Sequence, residues 1–258
     1  MASWMIHFRV ADTLLRACGW PDVPRDVSTA FVLGNIAPDS GVPNPDGVGY
    51  TPNKDTSHFM RVFDGESGAL RDRCDPHGYA ARWLTPAPEA HDPVAAAFHL
   101  GYISHLVTDN AWLRGVVLPA KERYAHLRLE NGVETPAAVA RFYAFLKKDW
   151  YDMDFLYIKH HPDLVAYELF RTAEDVENRF LPIFPADAFE RKREEITAFY
   201  RRGVAEVKER ETYLAEGTLA GFIQDVRDEI MAEFGQHFSA VWPELTSYSH
   251  TKYEFMVQ

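Results

Sequence analysis

The chain is short of sulfur, of long apolar runs and of positive charge. Two cysteines, Cys18 and Cys74, occur in 258 residues. They form no Cys-x-x-Cys pair, which argues against a thiolate zinc site. A framework of several disulfides is excluded, and two free thiols fit a reducing cytosol. No uninterrupted apolar stretch reaches the roughly 18 residues that a membrane-spanning helix needs. The opening MASWMIHFRVADTLL has no basic region ahead of a long apolar core, so it does not read as a signal peptide. A cytoplasmic location is the expectation. Lys and Arg total 27 against 38 Asp and Glu, a net charge of −11. That balance argues against a broad nucleic-acid-binding face, and no stable nucleic-acid complex is expected.

What the chain has in quantity is apolar and helical. Hydrophobic residues make up 47%, which indicates a folded core rather than disorder. Alternating strand patterns are scarce. Apolar positions at helical spacing predict helices over 3–17, 26–35, 57–72, 92–116, 117–130, 136–150, 185–212 and 216–240. A short helix is expected around Tyr79–Trp83, and two shorter ones within 151–182, broken near Pro162. Asp92–Pro93 supplies a cap and a first-turn proline for the strongest of these helices. Residues 36–57, IAPDSGVPNPDGVGYTPNKDTS, read as one long irregular loop, and loops of that length inside a compact domain usually carry function. The expectation is one all-α domain spanning 1–258.

His105 and Asp109 lie four residues apart in AAAFHLGYISHLVTDNAW. That spacing puts both on one helix face, with Cβ atoms roughly 5–6 Å apart. A buried carboxylate needs a partner, so the pair is either a hydrogen-bonded core contact or half of a metal site. His7 sits mid-helix among Trp4, Met5, Ile6 and Phe8, as a satisfied core histidine or a ligand. Asp39 follows Pro38 in GNIAPDSG, as a turn residue or a ligand. His58 follows the Asn-Lys-Asp-Thr-Ser turn and is expected in the first turn of the next helix. His77, His91, His237 and His250 read as surface residues, and His99 as packed or capping. Together His7, Asp39, His58, His105 and Asp109 offer three imidazoles and two carboxylates, a usual nitrogen-and-oxygen set for zinc or a mixed two-metal centre. Lys54 is either a phosphate contact or a solvated lysine. His126 with Glu130, and His160 with His161, are weaker donor pairs. Asp149, Asp152 and Asp154 read as a solvated helix face or caps. Tyr50, Phe59, Tyr102 and Trp112 read as core, with base stacking as the alternative.

The ordered set Trp-x-x-His, GNIAPDSG, Pro-x-Lys-x-x-Ser-His-Phe and LGYISHLVTD, over roughly residues 1–115, resembles the bacterial zinc-dependent phospholipase C family, which is related to single-strand-specific zinc nucleases. The resemblance implies an all-α fold and a metal-dependent hydrolase of phosphoric esters. It also implies one or two zinc ions, the metal ligands being His7, Asp39, His58, His105 and Asp109. Asp39, His58 and His105 would hold one zinc, and Asp109 would complete it and bridge to a second held by His7. Such a centre polarises a phosphoryl oxygen and acidifies a water. Asp39 and Asp109 would be catalytic, and Lys54 would meet the substrate phosphate. The substrate is a phosphoester: phospholipid, nucleotide or small molecule. The family's third-zinc histidine has no counterpart at Leu113-Arg114-Gly115, and its amino-terminal ligand pair is not matched by a signal-cleaved start here. Two other readings remain at this point. One is an HD-type phosphohydrolase, for which His91-Asp92 is the adjacent pair. The other is an inactive or altered all-α metal-binding protein.

Overall fold

The computed structural model describes residues 2–61, 74–84, 92–174, 176–207 and 214–242. It is helical throughout, with two small hairpins. In chain order the elements are α1 (Trp4–Ala17), α2 (Arg25–Ile36), β1 (Val42–Pro43), β2 (Tyr50–Thr51), α3 (Lys54–Ser57), α4 (Pro76–Trp83) and α5 (Pro93–Trp112). After a π-turn over Leu113–Val117 come α6 (Leu118–Arg123), β3 (Leu129–Glu130), β4 (Val133–Glu134), α7 (Pro136–His160), α8 (Val165–Arg171), α9 (Ala188–Glu206) and α10 (Glu216–Val241). No helix among the described residues is long and apolar enough to cross a membrane.

The centre of the molecule is α5. Between Ala97 and Trp112 every residue except Asn110 is buried, so this helix is apolar nearly all round and covered on all sides. Asp92 caps it by accepting from the Val94 N–H at 2.9 Å, with Pro93 at the first helical position. Its main partner is α2, and the two backbones touch. A Cβ added at Gly34 would lie 1.9 Å from the Phe98 carbonyl oxygen, and one at Gly101 would lie 1.9 Å from that of Phe31. Two glycines therefore let α2 and α5 approach closer than any side chain permits. Helices α1, α8 and α10 surround this pair, and one continuous hydrophobic core runs from Ala2 to Trp242.

Several expected boundaries move. Residues 58–61 are not helical, and α3 ends before His58; residues 62–73 of the expected 57–72 helix lie outside the described residues. The 36–57 loop contains the β1–β2 hairpin, in which Val42 pairs with Thr51. The expected helix over 117–130 stops at Arg123, and residues 129–134 form the β3–β4 hairpin. Its turn places Asn131 and Gly132 at φ 54° and 82°, the two positive angles a two-residue hairpin turn requires. The chain from 151 to 160 is no separate helix but the second half of α7, which ends just before Pro162.

Candidate metal centre

His7 comes from the first turn of α1, Asp39 from a single 3-10 turn after α2, His58 from the end of α3, and His105 and Asp109 from α5. The α2–α5 approach positions three of them. It brings the Asn35 carbonyl to 2.8 Å from His105 Nδ1, where it accepts the ring proton and leaves Nε2 facing inward. His58 is oriented in a similar way. Ser57 Oγ lies 3.0 Å from His58 Nδ1 and 3.4 Å from the Lys54 carbonyl, so His58 also turns Nε2 to the interior. Phe59, next in the chain, adopts φ 50°, a left-handed turn uncommon outside glycine, and this closes α3 behind His58. His58 thus follows a helix instead of beginning one.

The five side chains converge. His58 Nε2 lies 3.4 Å from His105 Nε2, 3.4 Å from Asp39 Oδ1 and 3.6 Å from Asp109 Oδ2. His105 Nε2 is 3.6 Å from Asp109 Oδ2, and His7 Nε2 is 3.5 Å from Asp109 Oδ1. The His7 and His105 rings stack at 3.8 Å. These separations are long for hydrogen bonds. They are close to the ~3.3 Å between donors that share one tetrahedral zinc at ordinary bond lengths. In two overlapping groups, His58–His105–Asp109 and His7–Asp39–His105, one ligand atom from each residue lies within 4.8 Å of the others, close enough to share a metal ion. His105 belongs to both.

Unmet polar atoms mark the same place. Both ring nitrogens of His7 and Asp109 Oδ2 are buried with no hydrogen-bond partner, an expensive arrangement in a core without a cation. Asp109 Oδ1 accepts from the Ala2 backbone N–H at 2.8 Å. Its two oxygens therefore address different neighbours, Oδ1 toward His7 and Ala2 and Oδ2 toward His58 and His105. The charges are consistent with this. Burial alone disfavours ionised Asp109, but the amino-terminal charge, His105 and His7 hold it well below the usual carboxylate range. Asp39 is likewise kept ionised against its burial by His58 and His105. Burial and the charge of His105 push His7 down to about 4, so it is neutral at pH 7. His105 is displaced the other way: burial opposes its charge, but Asp109, Asp39 and the Asn35 carbonyl raise it. The donor chemistry fits zinc: three imidazoles, two carboxylates and no thiolate.

The cluster opens at Asp39 and His58 onto a cavity of about 500 Å³. One wall is the former loop, with Tyr50, Pro52 and Lys54; the other carries Lys147, Trp150 and Tyr151 of α7 and Lys192 and Glu195 of α9. Lys54 is exposed at this opening. None of the α7 and α9 residues stood out as cleft residues in the sequence, because their helices follow the motif region by many residues.

The remaining candidates lie elsewhere. His126 and Glu130 are exposed, on a 3-10 turn and on β3 instead of a helix, and Glu130 faces Thr135 and Arg141. His160 and His161 are exposed at the end of α7. Neither pair belongs to a metal-holding group among the described residues. Asp149 and Asp154 are buried, not solvated. Asp149 accepts from the Leu214 N–H at 3.3 Å, and Asp154 from Ser3 Oγ at 2.7 Å and Tyr200 OH at 3.3 Å. Asp152 pairs with Lys148. His99 is packed against Tyr79 and Trp83, and His77 is exposed beside Glu233. His91 and His250 lie outside the described residues. Tyr102 and Trp112 are core, Phe59 is half-buried, and Tyr50 is exposed in the cavity wall.

Among known proteins, a family model described as zinc-dependent phospholipase C matches residues 6–171, a span that contains all five converging side chains and runs past the motif region. No curated protein and no solved structure matches the chain.

Proposed function

This chain belongs to the zinc-dependent phospholipase C family, and on that premise we propose that it hydrolyses phosphoric esters at a zinc centre held by His7, Asp39, His58, His105 and Asp109. The observation that carries the reading is the convergence of three imidazole Nε2 atoms on the two oxygens of Asp109 at 3.5–3.6 Å. A carboxylate whose oxygens face different imidazoles would hold metal together with His7 through Oδ1 and with His58 and His105 through Oδ2. Zinc bound there supplies Lewis acidity, which lowers the barrier to attack of water on phosphorus.

The protein's own groups divide the remaining work. Asp39 is ionised, holds His58 and lines the cavity, so it can accept a proton from water approaching from the open side. Lys54, at the same opening, meets a non-bridging phosphoryl oxygen. Asn35 and Ser57 fix the rings of His105 and His58. In the reaction, water forms a new P–O bond as the P–O bond to the alcohol breaks, and the alcohol leaves with a proton. The continuous core from Ala2 to Trp242 supports one domain as the catalytic unit.

Elemental analysis of purified protein, alongside hydrolysis of bis(4-nitrophenyl) phosphate, tests the proposal. Wild type should hold one to two zinc ions and lose hydrolysis to chelator, with recovery on zinc addition. His105→Ala should hold less metal and lose activity. Stoichiometric metal without hydrolysis would instead indicate an inactive metal-binding member, and wild type without metal would end the reading altogether.

A further inference from the structure

The cavity beside the centre is more positive than a simple phosphodiester needs. Three lysines line it, Lys54, Lys147 and Lys192, against the acids Asp39 and Glu195. Both acids are committed. Asp39 belongs to the histidine cluster, and Glu195 accepts from Lys192 Nζ at 2.6 Å. Lys54 and Lys147 are exposed and have no ion-pair partner among the described residues. On a chain of net charge −11, two uncompensated cations in one cavity are a local exception that focuses anions. The single charge of a phosphodiester is already met at the metal centre. The extra cations therefore face whatever the phosphate is attached to.

The aromatic lining points the same way. Trp4, Tyr50, Trp150 and Tyr151 line the cavity, and aromatic faces are the usual recognition device for a quaternary ammonium. Here one of those rings, Trp4, already carries a cation. Lys192, only 8% exposed, places its ammonium 5.2 Å from the Trp4 ring centroid. Lys147 stands one helical turn before Tyr151 on the same wall, where it repels a second cation. A trimethylammonium group would meet an occupied ring and two unpaired lysines.

We infer that this cavity selects phosphoric esters whose alcohol or head group carries a second negative charge, a carboxylate or a further phosphate, over choline-type esters. The inference rests on the hydrolase reading for its chemistry, but selection by charge can be measured without turnover. Trp4 and Trp150 in the lining provide a fluorescence signal for binding. The full-length protein, metal-free and zinc-loaded, is titrated at fixed ionic strength with 3-phosphoglycerate, glycerol 3-phosphate and phosphocholine. The first two differ by one carboxylate, and the third exchanges it for a cation. Exposed lysines contribute up to about fivefold each, so 3-phosphoglycerate should bind about tenfold more tightly than phosphocholine, with glycerol 3-phosphate between. Lys147→Gln, at an exposed position that leaves the core intact, should shrink that ratio several-fold. Equal affinities, or tighter phosphocholine binding, overturn the inference whether or not the protein turns over bis(4-nitrophenyl) phosphate. The expected order without hydrolysis keeps the charge selection and removes only the catalytic reading. For an active enzyme, dihexanoyl phosphatidylserine compared with glycerophosphoserine separates a lipid head group from a soluble ester. Dihexanoyl phosphatidylcholine should be cleaved about tenfold more slowly than the serine lipid, and faster cleavage of the choline lipid overturns the inference.

Discussion

His7→Leu is expected to stabilise the metal-free protein and destabilise the zinc-loaded one. The imidazole is wholly buried, and neither ring nitrogen has a hydrogen-bond partner. Burial and His105 hold it neutral at pH 7, so one N–H and one lone pair are both stranded. An unsatisfied buried polar group costs about 1–3 kcal/mol. Leucine is similar in size and removes both groups. The substitution forfeits the 3.8 Å stack on His105, a contact of about 0.5–1.5 kcal/mol. The balance in the metal-free state is a gain of about 1 kcal/mol. With zinc the sign reverses. A ligand at a thousand times its dissociation constant stabilises the folded state by about 4 kcal/mol, and the variant loses whatever part of that passes through His7. Urea unfolding at pH 7.5, in chelator and again in excess zinc, reads both numbers. If His7→Leu costs more than about 1 kcal/mol in chelator and the same amount in zinc, His7 is a packing residue and the argument from its stranded nitrogens is wrong.

Two further substitutions test the frame that holds the site. Gly101→Ala places a methyl 1.9 Å from the Phe31 carbonyl and 2.8 Å from the Asn35 nitrogen; relief requires α2 to shift, so a loss of about 3 kcal/mol is expected, together with weaker zinc binding through the displaced Asn35 carbonyl. Unchanged unfolding free energy and zinc affinity would show that the helices do not touch as described. Asp154→Asn should flatten the pH dependence of stability. Burial raises the Asp154 acid from 3.8 to about 8, against the pull of Ser3, Tyr200 and Arg9. The folded state therefore keeps a proton that the unfolded chain releases above about pH 4. Stability falls as pH rises through the window from 4 to 8, by at most about 1.4 kcal/mol per unit. Unfolding free energies at pH 5 and 8 should differ less in the variant than in wild type, and identical pH slopes would show that Asp154 is already ionised.

The ligand candidates were legible because each rests on local spacing. His105 and Asp109 share a helix face by arithmetic alone, and Asp39 and His58 stand in motifs of recognisable order. Both α1 and α5 were legible for the same reason, one from its apolar stripe and the other from its Asp-Pro start. The β3–β4 hairpin carried a local signal too, in Asn131–Gly132, but the helix-forming residues around it hid the turn. Helix α7 was cut short at 150 because YDMDFLYIKH mixes acids with aromatics. Those acids look solvated in a one-dimensional pattern, yet Asp154 lies under Ser3 and Tyr200. Two of the cavity's three lysines were beyond reach for a related reason. Lys147 and Lys192 sit on separate helices, and only tertiary packing sets them opposite Lys54.

What decides convergence is a feature that looks inert in the sequence. Gly34 precedes Asn35, and Gly101 precedes His105 by one helical turn. With side chains at either glycine, α2 and α5 would stand farther apart and the Asn35 carbonyl would fall short of the His105 ring. His105 would then be free to rotate, and the turn carrying Asp39, which directly follows α2, would be displaced with that helix. The donor atoms can be named from residue type, but the 3.4 Å between His58 and Asp39 depends on where α2 ends relative to α5. The two glycines set that distance while contributing no atom to the site. A motif search weighted toward histidines and carboxylates therefore finds the ligands and passes over the residues that bring them together.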